Sequence, residues 1–262
     1  MESQQSLGGG ARGFIPLKVK NIGGETPTYK GITSQVGWAF SPTKSNRFAG
    51  EGFTLAEVLI TLGIIGVVAA MTLPTLIQNH QKQETIAKVQ KIYTILNQAL
   101  KQSELENGEF QYWDSAFDMG AKAYFEKYYK PYFKIAKQCK TYQDCGYKSV
   151  TPWSNPWGTQ STLKVIVADY RYPFYLTDGT LVIISVTSGE GVALDNSIYV
   201  DLNGGRGPNV YCKDFFIFKR TAKNGIQPNG YDLEDSELIN SEYCGAKLMR
   251  DGWQIKDDYL WR

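Results

Sequence analysis

The pattern of apolar and polar positions begins with one long apolar run. From Phe53 to Leu73 the sequence is FTLAEVLITLGIIGVVAAMTL, 21 residues in which Glu57 is the only charge. At 1.5 Å per residue, a helix of this length spans about 31 Å, which matches the hydrocarbon core of a bilayer. The run therefore predicts a helix that can cross a membrane.

Beyond Pro74 the pattern becomes amphipathic. Apolar residues recur at steps of three and four, the spacing of one face of a helix. These residues are Ile86, Val89, Tyr93, Leu96 and Leu100. We expect a single helix over about 54–103, whose first half spans a membrane and whose second half packs its apolar face on a sheet.

Short segments rich in β-branched and aromatic residues follow the helix and predict strands. They cover residues 163–170, 172–177, 180–186, 197–202 and 214–219. Asp178 and Gly179 join two of these segments and predict a two-residue hairpin. Residues 105–160 are aromatic and rich in turns, with a short helix predicted at 117–129 that ends near Pro131. The predicted fold class is α+β, with a long N-terminal helix packed on an antiparallel sheet of four or five strands.

The composition argues against an enzyme and against a nucleic-acid-binding protein. The chain has a single histidine, His80, which removes most routes to general base catalysis and to histidine-ligated metals. A hydrolase would have to use carboxylates such as Asp169 and Asp178 without histidine, and acids in turns are usually solvated. The net charge is +2, and residues 53–262 carry 22 of the 28 basic and 23 of the 26 acidic residues, so their bulk charge indicates no nucleic acid.

The four cysteines all lie C-terminal to the apolar run. In an exported domain, the simplest pairing joins Cys139 to Cys145 and Cys212 to Cys244. Four reduced or metal-binding thiols remain the alternative, although the spacing is not that of a CxxC motif.

Glu57 is an ionisable residue near the start of the apolar run, where such residues are rare and usually functional. No Lys or Arg lies within the run, so its partner must be another cation. An α-amino group made by cleavage just before Phe53 would lie at the same membrane depth.

A family resemblance is carried by the stretch GFTLAEVLI, residues 52–60. It resembles the cleavage and methylation signature of type IV prepilins and pseudopilins, in which a Gly precedes the cut, a Phe follows it and a Glu is the fifth mature residue. The resemblance implies that a prepilin peptidase cuts between Gly52 and Phe53 and methylates the new Phe53 amine. It also implies that Glu57 pairs with the Phe53 amine of a neighbouring subunit. A proline at the position of Pro74, which we expect to bend the helix, is likewise common in the family.

The apolar pattern and the resemblance together divide the chain. We expect residues 1–52 to be a disordered cytoplasmic leader that is removed, residues 53–74 the membrane or filament-core helix, and residues 75–104 its amphipathic half. Residues 105–262 are then a globular pilin-like α+β domain with a variable loop at 105–160. Lys44 and Arg47 precede the apolar run, so the positive-inside tendency places the globular domain outside the cytoplasm. A secretory signal peptide is the alternative, but its apolar region would be shorter.

One loop suggests a metal site. Asp201, Asn203 and Asp214 flank a glycine-rich turn and offer the oxygen ligands that Ca²⁺ prefers. The resemblance points the same way, since pseudopilins of secretion systems are similar in using calcium in their C-terminal loops. Asp, Asn and Gly are also ordinary turn residues, and no EF-hand spacing is present, so a plain turn remains the alternative. No other cofactor is expected.

The function predicted is that of a structural subunit, a pilin or pseudopilin of a type IV pilus or a type II secretion system. Its expected partners are copies of itself or other pilins, the prepilin peptidase and the inner-membrane assembly machinery, with no specific nucleic acid. Its location would be the inner membrane, then a filament at the cell surface or in the periplasm. The alternatives are a membrane-tethered exported binding protein or adhesin, and a minor pilin of a DNA-uptake system.

Overall fold

The computed structural model describes residues 52–186, 197–221 and 223–261. The elements below all belong to one compact unit, Thr54–Arg262. The predicted leader, residues 1–52, lies outside the described residues except for Gly52.

Helix α1 (Leu55–Asn107) is 53 residues long and confirms the single long helix. Thr54 caps its N-terminus, and Gly108, at φ 82°, ends it where a side chain would be strained. The helix continues through Pro74, and the predicted bend there stays a prediction. Its buried residues begin only in the second half: Thr85, Ile86, Val89, Ile92, Leu96, Ala99, Leu100 and Ser103.

Three shorter α-helices follow in the described residues: α2 (Ala116–Met119), α3 (Ala121–Tyr128) and α4 (Cys244–Arg250). The helix predicted at 117–129 is therefore two helices. Gly120, at φ 83°, separates them because this backbone conformation cannot continue an α-helix.

The sheet has six antiparallel strands in the order of the chain. The strands are β1 (Ile135–Gln138), β2 (Arg171–Leu176), β3 (Leu181–Ser185), β4 (Ser197–Asp201), β5 (Phe215–Arg220) and β6 (Ile226–Pro228). The antiparallel α+β architecture is confirmed. The two edge strands were missed because each is short and β6 ends in a proline, which is tolerated at a sheet edge.

The strand predicted at 163–170 is wrong. This segment is irregular, although Val165 and Ile166 are buried. The backbone N–H of Ile166 donates to the hydroxyl of Tyr142 at 3.4 Å rather than to a neighbouring strand. The apolar composition of this segment therefore indicates that it is buried, but it does not distinguish a buried strand from a buried loop.

The β2–β3 hairpin also differs from its prediction, because its loop has three residues. Leu176 N–H donates to the carbonyl of Thr180 at 2.9 Å, and Gly179 N–H donates to the carbonyl of Leu176 at 3.0 Å. Gly179 has a φ of 87°, as expected for a turn followed by a left-handed residue.

Side chains at three positions along α1 hold the sheet and its loops against the helix. Thr85 Oγ1 donates to the carbonyl of Lys213 at 3.0 Å, and Lys91 forms an ion pair with Asp178 at 2.6 Å. Further along, Asn97 exchanges two hydrogen bonds with the backbone of Ile226. The loop between β4 and β5 therefore lies beside the first covered turn of α1.

The structure contains the two expected disulfides, Cys139–Cys145 and Cys212–Cys244. The second links the β4–β5 loop to the start of α4, and all four cysteines are buried.

Candidate functional site

The first half of α1 is an apolar surface without cover in the described part of the chain. From Leu55 to Glu84 its residues are exposed, apart from Ala69 and Lys82, which are half-buried. Among the described residues, α1 is the one helix long and apolar enough to cross a membrane. Such a surface requires a bilayer or other protein to cover it.

The predicted maturation residues are Gly52 and Phe53, which precede α1 in the sequence, and Glu57 in its first turn. Phe53 is 86% exposed, directly before the capping residue Thr54. A Cβ placed on Gly52 would meet nothing within 4 Å. Packing against the described residues therefore gives no reason for a glycine at this position.

Glu57 has a partner within its own chain, which the sequence analysis missed. Its Oε2 accepts bonds from the backbone N–H and the hydroxyl of Thr54, both at 2.8 Å, while Thr54 Oγ1 accepts from the N–H of Glu57 at 3.2 Å. This is a capping box, and the spacing T-x-x-E was its available signal. Within the described residues, Oε1 of Glu57 accepts no hydrogen bond, so one carboxylate oxygen remains available.

The end of β4 and the loop between β4 and β5 bring together the three residues predicted to bind calcium. Asn203 donates its N–H to Asp201 Oδ1 at 3.2 Å and its Nδ2 to Asp214 Oδ2 at 3.1 Å. The Asp214 carboxylate also accepts the N–H groups of Asn209 and Val210, at 2.8 and 2.5 Å. The two carboxylates thus organise the loop backbone.

Asp201 receives two further donors that the sequence did not indicate. Tyr147 donates its hydroxyl to Oδ2 at 2.7 Å, and Trp153 donates its indole N–H to the same oxygen at 2.9 Å. Both side chains are fully buried and come from the segment predicted to be a variable loop. The sequence carried no signal for this pairing because the residues are about fifty positions from Asp201.

Burial raises the pKa of both carboxyl groups above the usual range for aspartate. Neither Asp201 nor Asp214 forms an ion pair with a described residue. Two amide oxygens of the same loop, Asn203 Oδ1 and Asn209 Oδ1, are buried without a partner. In native structures such orphaned acceptors call for an explanation, such as a water molecule or an ion.

Two carboxylates and two amide oxygens are the kind of ligand set that suits Ca²⁺, which takes about six to eight oxygens. The carboxylate oxygens already accept hydrogen bonds, so the open acceptors are those of Asn203 and Asn209. The described residues hold no group of three or more His, Cys, Asp or Glu side chains that would form a metal site alone. Calcium at this loop stays a prediction, to which the structure adds Asn209.

Sequence comparisons relate the chain to one family model and to proteins of type II secretion systems. The model of a family of unknown function, DUF6613, matches residues 75–262. Type II secretion system core protein G of Aeromonas hydrophila is 30% identical over 108 residues, 41% of this chain and 68% of that protein. The protein of the same name from Vibrio cholerae is 28% identical over 149 residues, 55% of this chain and 88% of that protein. The one from Pectobacterium carotovorum is 28% identical over 130 residues, 50% and 76% of the two chains.

No solved structure matches the chain. The family model covers more than half of the chain, including the second half of α1 and the whole sheet. The chain therefore belongs to the DUF6613 family of unknown function, and it is a pilin-like protein related to core protein G of type II secretion systems.

Proposed function

We propose that the protein is a structural subunit of a type II secretion pseudopilus, matured by cleavage before Phe53 and assembled through α1. The observation that carries the proposal is the long apolar surface of α1, which begins at a complete maturation motif. The similarity to core protein G of three type II secretion systems supports this system over a type IV pilus or a DNA-uptake machine.

The exposed half of α1 supports assembly because its apolar side chains can be buried first by lipid and later by other subunits. While the subunit is in the inner membrane, lipid covers Leu59, Ile64, Val68 and their neighbours. In a filament, the same side chains pack against α1 of other subunits and make a common core. The globular part needs no such cover, since its sheet and the second half of α1 already bury a continuous core.

The geometry of Glu57 supports a role in joining subunits. Cleavage between Gly52 and Phe53 leaves Thr54 intact, so the capping box survives maturation and keeps Oε2 at the start of the helix. Oε1 is then available to the Phe53 amine of a neighbouring subunit, which the prepilin peptidase has freed and methylated. Such a pair inside an apolar core fixes the register of subunits more than it adds stability.

The subunit performs no catalysis in this account. Its partners are other pilin subunits, the prepilin peptidase and the inner-membrane assembly machinery. We also propose that Ca²⁺ binds the β4–β5 loop through Asp214, Asn203 and Asn209, with Asp201 beside them. The ion would supply positive charge to two buried carboxylates.

Assembly of a Glu57→Ala variant tests the joining role. The variant keeps the apolar run, so it should enter the membrane like the wild type but be depleted from the sheared filament fraction by roughly tenfold or more. Glu84→Ala is the matched control, because it removes an exposed acid from the same helix whose ion pair in the described part of the chain is with Lys88. Normal incorporation of Glu57→Ala would remove the proposed pairing.

A further inference from the structure

The exposed apolar surface of α1 continues beyond the run 53–73 that the sequence pattern delimits. Leu76 and Ile77 are 65% and 53% exposed and precede the polar residues Gln78 and Asn79. Residues 58–77 form a stretch of 20 residues without any charge. As a helix this stretch is about 30 Å long, the thickness of the hydrocarbon core.

The helix can therefore sit at two depths. With residues 53–73 in the hydrocarbon, the Glu57 carboxylate lies inside the bilayer. With residues 58–77 in the hydrocarbon, Glu57 lies at one edge with its capping box, and Ile77 lies at the other. The second depth is favoured while the subunit is alone in the membrane, because an unpaired carboxylate is expensive in lipid and the exposed Leu76 and Ile77 are covered.

This depth brings the globular part close to the membrane. Gln81 is four residues beyond Ile77, about 6 Å along the helix axis. The headgroup layer of each leaflet extends roughly 5 to 7 Å beyond the hydrocarbon. The side chains beside Gln81 on the folded part thus lie at the level of the headgroups.

Those side chains include the basic Lys213 and the aromatic Trp261, beside the acids Glu84 and Asp214. Trp261 lines a cavity of about 370 Å³ together with Gln81, Lys88 and other residues of this turn of α1. The Nζ of Lys213 lies 5.5 Å from the centre of the Trp261 ring. Lys82 forms no ion pair with a described residue, and the nearby acid Glu84 is already paired with Lys88 at 2.8 Å.

The C-terminal segment that carries Trp261 is held firmly in place. Tyr259 is buried and donates its hydroxyl to the carbonyl of Cys212 at 3.0 Å, next to the disulfide with Cys244. Lys247 also forms an ion pair with Asp258 at 2.8 Å. The position of Trp261 beside α1 is therefore a fixed feature of the fold.

We propose that Lys82, Lys213 and Trp261 form a collar that rests on the anionic headgroups of the leaflet from which α1 emerges, before the subunit enters a filament. Lysines attract anionic headgroups, and tryptophan prefers the membrane interface because its ring is apolar and its N–H is polar. The inference rests on the membrane-spanning role of α1 in the proposed function. It adds a second, peripheral contact that assembly must break.

Fluorescence quenching by brominated lipid tests the collar. The full chain is reconstituted into vesicles of phosphatidylethanolamine and phosphatidylglycerol, with bromine on the acyl chain near the headgroup. Tryptophan emission should be quenched in the wild type, and Trp261→Phe should lose most of that quenching. Trp113→Phe is the matched control and should keep it, because Trp113 follows the far end of α1, about 39 Å beyond Gln81.

A second variant keeps the test valid if Trp261→Phe disturbs the packing of the C-terminal segment. Lys82→Glu reverses the charge of a half-buried side chain that forms no ion pair with a described residue, and it should reduce the quenching, as should replacing phosphatidylglycerol with phosphatidylcholine. Unchanged quenching in Trp261→Phe, or in both of these tests, would overturn the collar while leaving the proposed function in place. Release of the wild type from the vesicles by alkaline carbonate would instead overturn the membrane-spanning role and the collar with it.

Discussion

At the scale of single residues, the buried carboxylates show how distant segments are joined. Tyr147 and Trp153 both donate to Asp201, which has no exposed surface. Hydrogen bonds to charged groups contribute about 1.5 to 3 kcal/mol, more than those between neutral groups. The segment 139–160 is thus fixed on the end of β4.

A Tyr147→Phe substitution should lower the thermal midpoint of the full chain in detergent by roughly 5 °C, because it removes one charged hydrogen bond and leaves Asp201 partly unsatisfied. Tyr211→Phe is the control, since that tyrosine is also buried but its hydroxyl makes only a long hydrogen bond with Ser161 Oγ, at 3.4 Å, among the described residues. Equal shifts in the two variants would show that the bond to Asp201 is unimportant.

The site residues were only partly predictable from the sequence. Gly52, Phe53 and Glu57 lie within six positions, so a local motif defines them. Asp201, Asn203 and Asp214 were found because they share one glycine-rich loop. The contacts of Tyr147 and Trp153 with Asp201, and of Lys213 with Trp261, could be found only in the folded structure. Residues that are dozens of positions apart form no local sequence motif.

At the scale of elements, the apolar run, the helical periodicity and the β-rich composition predicted α1 and the four central strands but failed at the edges of the sheet. Strands β2 to β5 are mostly apolar at their buried positions, and the sequence predicts their bounds to within one or two residues. Strand β1, IAKQ, is mostly exposed and carries little pattern. Segment 163–170 gave the opposite error because a buried irregular loop has the same composition as a strand.

The predicted binding of calcium to the β4–β5 loop can be tested by its effect on thermal stability. Excess EGTA should lower the thermal midpoint of the full chain in detergent, and excess CaCl₂ should restore it, because the ion would neutralise two buried carboxylates. Asp214→Asn should abolish the difference between the two conditions. An unchanged midpoint in the wild type would show that the hydrogen bonds alone hold the loop.

The two disulfides should differ in their effect on stability. In the chain-entropy model, closing a loop across 32 residues stabilises by about 4 kcal/mol and across 6 residues by about 2 kcal/mol. Replacing Cys212 and Cys244 with alanine should therefore lower the free energy of unfolding more than replacing Cys139 and Cys145. Denaturant titration of the two double variants gives the comparison, and the reverse order would contradict the model.

At the scale of the whole molecule, one helix serves two environments. Its second half is buried against the sheet, whereas its first half has no cover among the described residues. In the proposed function, the polar motif at its start is the point where subunits are joined, and the cation for Glu57 is the Phe53 amine of a neighbouring subunit. The family model begins at residue 75, so it describes the folded part and leaves the motif to be tested directly.

The N-terminus of the mature chain tests the account most directly. Protein isolated from its native cells and examined by N-terminal sequencing and intact mass spectrometry should begin at Phe53 and carry a methyl group on the amine. A Gly52→Leu variant should remain uncut, because a bulky side chain would block the peptidase. A wild-type chain that still begins upstream of Gly52 would contradict the account.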